Sequence, residues 1–277
     1  MIAGGLTTAQ HLHSRVPGTA EYMIAAAGQV IGAYREIGMR ACYSLALRDQ
    51  NRLLYEDDAA FTARLPTALR PSITGHFARF KLPLARQAAV FEAIRRLTDA
   101  DELIAVQLAP ENMHWPSDPA LELAGELSAR HDLPMHLHLL DTPCQKVCAE
   151  RRTSGSALAD LHRLGLTGPA LTIGHGVRMT EDDIALRAHS STRICHNCSS
   201  NLRLKSGIAP VTASSPQAPR WRSTWMMRGS TTTATCSRRW GWRRACIASR
   251  ASMRRIRLRH WLAGLRAELF CRVRGPR

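Results

Sequence analysis

Pro134-Met135-His136-Leu137-His138-Leu139-Leu140-Asp141-Thr142 is the stretch on which the reading of this chain turns. It is short and largely apolar, with a proline in front and an acid–hydroxyl pair behind, as a buried strand running into a loop would be. Successive side chains of a strand point to opposite faces, so His136 and His138 share one face. Asp141 follows where the strand turns into its loop. A strand-end imidazole can ligate a metal while a nearby carboxyl moves protons beside it. A buried His pair followed by an Asp helix cap accounts for the same spacing equally well.

Working outward, short apolar runs alternate with longer amphipathic stretches up to Val211. Leu6–His11, Arg40–Leu45, Leu103–Leu108, Pro134–Leu139, Leu171–Gly174 and Thr192–Cys195 read as strands. Glu21–Ile37, Asp57–Leu65, Leu84–Leu97, Pro119–His131, Ser156–Leu164 and Glu181–His189 read as helices. Pro66 and Pro71 are breakers, Ser117 or Asp118 caps one helix and Thr180 another, and Gly165 stops a third. Repeated strand-then-helix order implies an α/β fold with a parallel sheet and helical crossovers. A doubly wound sheet and a barrel both satisfy that pattern.

In either architecture ligands bind at the C-terminal strand ends. Four such ends carry histidine: His11 and His13, His136 and His138, His175, and His196. Converging imidazoles suit a transition metal such as Zn or Fe. Gln107, Glu111 and Trp115 follow the strand before Pro134 and are either pocket-lining or ordinary loop residues. Cys195-His196-Asn197-Cys198 is a lone C-x-x-C, and a structural zinc site needs a second pair.

The net charge of +16 is unevenly distributed. Residues 1–211 carry 22 Lys+Arg against 21 Asp+Glu, whereas residues 212–277 carry 16 Arg, no Lys and one acid, Glu268. Five of the six Trp also lie in that tail, at 221, 225, 240, 242 and 261. Two compositions therefore meet near Val211, dividing the chain into a folded part, 1–211, and a basic Arg/Trp-rich tail, 212–277, expected to be poorly ordered and outside the native fold. No apolar run of about 20 residues is present, so no membrane partner is expected. No export signal is seen, which predicts a cytoplasmic protein with reduced thiols. Oligomeric state is not legible.

Three segments together resemble the metal-dependent amidohydrolase superfamily, in the branch of cytosine, guanine and S-adenosylhomocysteine deaminases and triazine hydrolases. Met135-His136-Leu137-His138-Leu139-Leu140-Asp141-Thr142 is similar to its H-x-H-x-x-E-T segment. Gly174-His175-Gly176-Val177 resembles its A-H-C-V, and the run Cys195–Val211 its C-H-N-P-x-S-N-x-x-L-x-S-G-I-A-P. The resemblance covers roughly residues 1–211. It implies an incomplete (β/α)8 TIM-like barrel holding strands two to seven, with one divalent metal, Zn or Fe, in the complete family member. It implies that His138 is a metal ligand on the fifth strand. It makes His175, on the sixth, a metal ligand or the group that polarises the attacking water. Asp141 stands where the family has Glu as proton shuttle to the ring nitrogen, one methylene shorter. His11, His13, Gln107 and Asn201 are the candidates for lining the substrate pocket. The implied activity is hydrolysis of a C–N bond other than a peptide bond, as a deaminase on a small heterocyclic substrate.

The family's first strand supplies two further His ligands, and nothing here precedes the second. Its eighth strand ends in a metal-binding Asp, and no Asp follows Asp183. Trp225-Met226-Met227 can only be encoded TGG-ATG-ATG, and a shifted frame reads GAT-GAT there, two consecutive aspartates. The same frame permits A-G-I-N-D-D-R-D-M-L up to Ser237, similar to the family's eighth-strand region. These observations lead us to expect a chain truncated at its start and frameshifted after about residue 211. The alternatives to an active hydrolase are then an inactive fragment, or nucleic-acid binding through the basic tail, for which no specific motif is present. Sequencing the coding DNA between codons 205 and 230 is expected to reveal a slipped base. An unambiguous in-frame reading would refute the frameshift.

Overall fold

The computed structural model describes residues 7–153 and 155–210, together with the backbone of Trp221–Arg222. Six strands, β1 (Thr8–His13), β2 (Arg40–Leu45), β3 (Ile104–Val106), β4 (Met135–Leu139), β5 (Leu171–His175) and β6 (Arg193–Cys195), alternate with helices. The main crossovers are α1 (Ala20–Glu36), α4 (Leu84–Arg96), α5 (Asp118–His131), α7 (Ala157–Arg163) and α8 (Glu181–His189). Shorter helices are α2 (Asp58–Ala63), α3 (Arg70–Ala78), α6 (Pro143–Thr153) and α9 (Cys198–Arg203). Every strand pairing is parallel, as strand–helix alternation requires.

The strands fall into two sheets, β1-β2-β3 and β4-β5-β6 with a short β7 (Trp221–Arg222) beside β6. An isolated parallel bridge between Leu108 and Met135 joins them. His136 N donates to Leu108 O at 2.9 Å and His138 N to Glu111 O at 2.9 Å, so the chain after β3 continues the ladder onto β4. The described strands do not close into a barrel. The β7 pairing lies within the segment expected to contribute nothing to the fold. The rest of that tail, and with it the expectations of poor order and nucleic-acid binding, lies outside the described residues.

One face of each sheet is apolar and covered by helices. Met135, Leu137, Leu139, Leu171, Ile173 and Ile194 pack with α5 and α7 through Leu121, Leu127, Leu158 and Leu161. A second cluster joins Ile31 and Tyr34 of α1 to Met39, Tyr43, Val90, Ile94 and Val106. Fully burying one such Leu or Ile contributes about 1.5–3 kcal/mol. On the opposite face Gln10, Ser44 and Gln107 meet one another through hydrogen bonds.

Several local expectations hold. Ser117 caps α5 and Thr180 caps α8. Others need correction. Pro71 does not break the chain but sits in the first turn of α3. The first turn of a helix has no use for the proline's missing N–H. β1 runs two residues beyond the expected end because its pairing with β2 continues to His13↔Leu45. Cys42, Cys144, Cys148 and Cys195 are free thiols.

The N-terminus of α8 is held by more than its cap. Asp183 accepts from Thr180 N at 2.9 Å and Thr180 Oγ1 at 3.0 Å, and also from the Ser156 hydroxyl that begins α7. Its carboxyl is buried. Asp183→Ala strands those donors and removes a reciprocal cap, so urea denaturation is expected to show a loss of about 2–3 kcal/mol.

Candidate functional site

The C-terminal end of β4 carries the site, as alternation predicts. Met135, Leu137 and Leu139 point into the helix-packed core, which sends His136 and His138 to the other face. Their rings lie 5.3 Å apart, centroid to centroid, at 85°. His136 is buried, and burial, with the neighbouring His175 second, pushes its pKa down to about 3. It is therefore a neutral imidazole at any ordinary pH.

His175 reaches the same place against the alternation of its strand. Leu171 and Ile173 face the helices, and a regular strand would send His175 after them. His175 instead takes a left-handed backbone with φ 72°, and its ring lies 5.1 Å from that of His138 at 88°. Both neighbours are glycine. A Cβ on Gly174 would stand 2.9 Å from His138 Cδ2 and 3.1 Å from His136 Nε2, so any side chain there would displace the two rings. Gly176 also has a positive φ, 57°, which a larger residue adopts only with strain.

Two acceptors surround one nitrogen of His175. Nδ1 lies 2.7 Å from Asn201 Oδ1 and 3.3 Å from Asp141 Oδ1. Neither oxygen can donate, so the proton sits on Nδ1 and Nε2 keeps its lone pair. That is the tautomer in which metal-ligating imidazoles are held by a second group. Asn201, at the end of α9, is buried. The sequence singled it out as a substrate contact; the structure places it against His175. Asp141 Oδ1 is buried and makes no aligned hydrogen bond, which leaves a carboxylate acceptor beside the imidazole.

The remaining candidates go elsewhere. His11 and His13 lie on the β1 face that packs toward α1, with Ala9. His11 Nδ1 is 2.9 Å from the Tyr34 hydroxyl and His13 Nδ1 is 2.7 Å from that of Tyr43. They form an aromatic cluster with those tyrosines, behind the sheet relative to His136 and His138. Gln107 is buried on the polar face, where its Oε1 accepts from Gln10 Nε2 at 2.8 Å. Glu111 accepts from Ser14 Oγ at 2.7 Å and lies 3.3 Å from Arg48 Nε. The Arg48 guanidinium stacks over Trp115, 3.7 Å from its ring centre, an arrangement that the sequence does not announce because Arg48 carries no motif.

For a divalent metal the donor set fits in part. His138 and His175 supply two imidazoles of suitable chemistry and Asp141 a carboxylate. Among the described residues, no group of three or more His, Cys, Asp or Glu side chains converges as a metal cage. Also among the described residues, no helix is long and apolar enough to cross a membrane.

Residues 1–214 match the Amidohydrolase family, and the chain belongs to it. An 8-oxoguanine deaminase of Pseudomonas aeruginosa is 28% identical over 223 residues, covering 76% of this chain and 43% of its own length. A 5-methylthioadenosine/S-adenosylhomocysteine deaminase of Nitratidesulfovibrio vulgaris is 30% identical over 126 residues, 44% of this chain and 29% of that protein. Atrazine chlorohydrolase from Arthrobacter aurescens TC1, solved with zinc, has a TM-score of 0.61 at 20% identity, covering 77% of this chain and 43% of that one. At that identity the likeness is one of fold. The chain thus spans less than half the length of these relatives.

The buried neutral imidazoles make stability depend on pH. The folded pKa of His136 and of His114, each about 3, lies below the ordinary 6.5. The unfolded chain therefore takes up protons that the folded chain refuses. Their contribution is complete above pH 6.5 and falls as pH drops toward 3, by up to about 1.4 kcal/mol per pH unit for each ring. Urea titrations of the parent and of His136→Gln between pH 7 and 4 are expected to differ in slope by about that amount. Parallel slopes would show that His136 protonates freely in the fold.

Proposed function

We propose that this chain is a metal-dependent aminohydrolase that removes an amino group from a carbon of a heteroaromatic ring. In this reading β1 to β6 correspond to the second to seventh strands of an eight-stranded barrel. Residues 1–211 form the catalytic domain, with the tail outside it. The observation that carries it is the Gly174-His175-Gly176 turn, which brings a second imidazole against His138 with its tautomer fixed by Asn201. The names of the deaminase relatives support the substrate class.

His138 and the Nε2 of His175 would hold the metal. Zinc or iron bound there would lower the pKa of water enough to give a nucleophile near neutral pH. The protein's own part is positional. Asn201 keeps the proton of His175 on Nδ1, so that Nε2 faces the reacting centre as an acceptor. Asp141 would carry a proton from the attacking water to the ring nitrogen as the C–O bond forms, and the proton of the resulting hydroxyl would then go to the amino nitrogen, which leaves as ammonia.

A second reading is favoured by one observation, the lack of a three-residue metal cage among the described residues. It is a fold that keeps the family's shape without its metal affinity. Metal analysis separates the two. About one Zn or Fe per purified chain is expected for the enzyme, and each of His138→Ala and His175→Ala should then weaken binding by roughly a hundredfold, a quarter of a ~10–16 kcal/mol site. Metal content near zero after growth and dialysis with zinc would sink the enzyme reading.

A further inference from the structure

A cavity of about 100 Å³ lies behind the first sheet, between β2 and β3 on one side and α1 and α4 on the other. Met23, Val90, Ile94 and Val106 line its depth and are buried. Arg15, Arg48 and Arg52 line it too, and no Asp or Glu among the described residues does. None of His136, His138, His175 and Asp141 lines it, so it is separate from the candidate site. We propose that this cavity is a second binding site, for a small amphipathic anion: a short-chain carboxylate with its alkyl tail in the core and its head at the arginines. The inference does not depend on the aminohydrolase reading.

The interior suits an alkyl chain better than water. The polar groups of its lining are already engaged. His13 Nδ1 lies 2.7 Å from the Tyr43 hydroxyl, and Ser44 Oγ donates to His11 O at 2.9 Å. Gln87 Nε2 donates to Arg48 O at 3.0 Å and to Leu82 O at 2.9 Å. A buried water needs about two to four polar partners, and a lining that cannot supply them stays dry and takes apolar guests. At roughly 30 Å³ for a group the size of a water or a methylene, the space holds a tail of about three or four carbons.

The mouth selects the head group. Among the lining residues Arg15 and His76 are exposed, which marks the side open to solvent. Arg48 is close enough to feel the charges of both Arg15 and Arg52. Glu111 lies 3.3 Å from Arg48 Nε and Asp58 2.6 Å from Arg52 Nη1, so two of the three guanidiniums are answered. Arg15 makes no hydrogen bond or ion pair with any described residue. It also holds a left-handed backbone, φ 59°, a conformation that strains a residue with a Cβ. One unanswered guanidinium beside two others favours an anion, and its planar fork of donors matches a carboxylate. An alcohol or an ammonium with the same tail gains nothing there.

The test uses the full chain and a series of straight-chain carboxylates from acetate to heptanoate, with 1-butanol and butylammonium as controls that carry the pentanoate tail. Binding is followed by ligand-observed NMR titration. Affinity is expected to rise about fourfold per methylene as far as pentanoate and to stop rising there, where the cavity is full. Arg15→Gln, at an exposed position, should weaken pentanoate about tenfold and leave 1-butanol unchanged. Val90→Phe should fill the cavity and abolish binding of pentanoate and 1-butanol alike. Circular dichroism checks the fold of that buried variant, and the chain-length limit together with Arg15→Gln decides the matter should it not fold. No saturable binding of pentanoate, a rise that continues through heptanoate as on an open surface, or an equal loss of carboxylate and alcohol in Arg15→Gln would overturn the proposal.

Discussion

The candidate site depends on one backbone residue, His175, taking a left-handed conformation at the end of its strand. A non-glycine residue in that region costs about 1–3 kcal/mol. The Nδ1–Asn201 hydrogen bond, at 2.7 Å, returns about 0.5–1.5 kcal/mol. The bond alone does not hold the turn. The surroundings must over-determine it, and they do. Gly176 N donates to Leu139 O at 3.0 Å and Arg178 N to Leu140 O at 2.9 Å, so the chain that follows His175 is fastened to the end of β4. Strain of this kind, held by its neighbours, is the form in which functional residues are commonly kept.

The rest of the site follows from the two-sided character of the sheet. In each sheet the outer face is an apolar layer under the helices, and that layer decides which strand residues are left for chemistry. On β4 the histidines occupy the inner parity and meet. On β1 the histidines occupy the outer parity and are drawn into hydrogen bonds with Tyr34 and Tyr43. The same residue type, with the same i, i+2 spacing, has opposite consequences because the strands differ in phase relative to the core. Beyond the strand ends, the row from Arg48 through Trp115 and His114 to Tyr55 packs the loops against one another. Loops shaped by packing in this way can select a substrate while the strand ends supply the reaction.

The amino-acid sequence by itself determined the strand–helix alternation, the parallel α/β class, the shared face of His136 and His138, the caps of α5 and α8, and the three motifs of the amidohydrolase family. These are local properties. They depend on periodicity, on capping residues and on runs of fixed spacing, all of which act within a few residues. The family match ends at residue 214, close to the change of composition after Val211 that the sequence also displays. Pro71 misled as a breaker because a proline's effect depends on which turn of a helix receives it. Only the tertiary structure decided that His11 and His13 meet Tyr34 and Tyr43, that Asn201 lies against His175, and that Arg48, Trp115, His114 and Tyr55 line up in one row. The facing direction of a strand is set by what packs on it. A contact between residues 26 positions apart, such as His175 with Asn201, has no periodic trace for a sequence to carry.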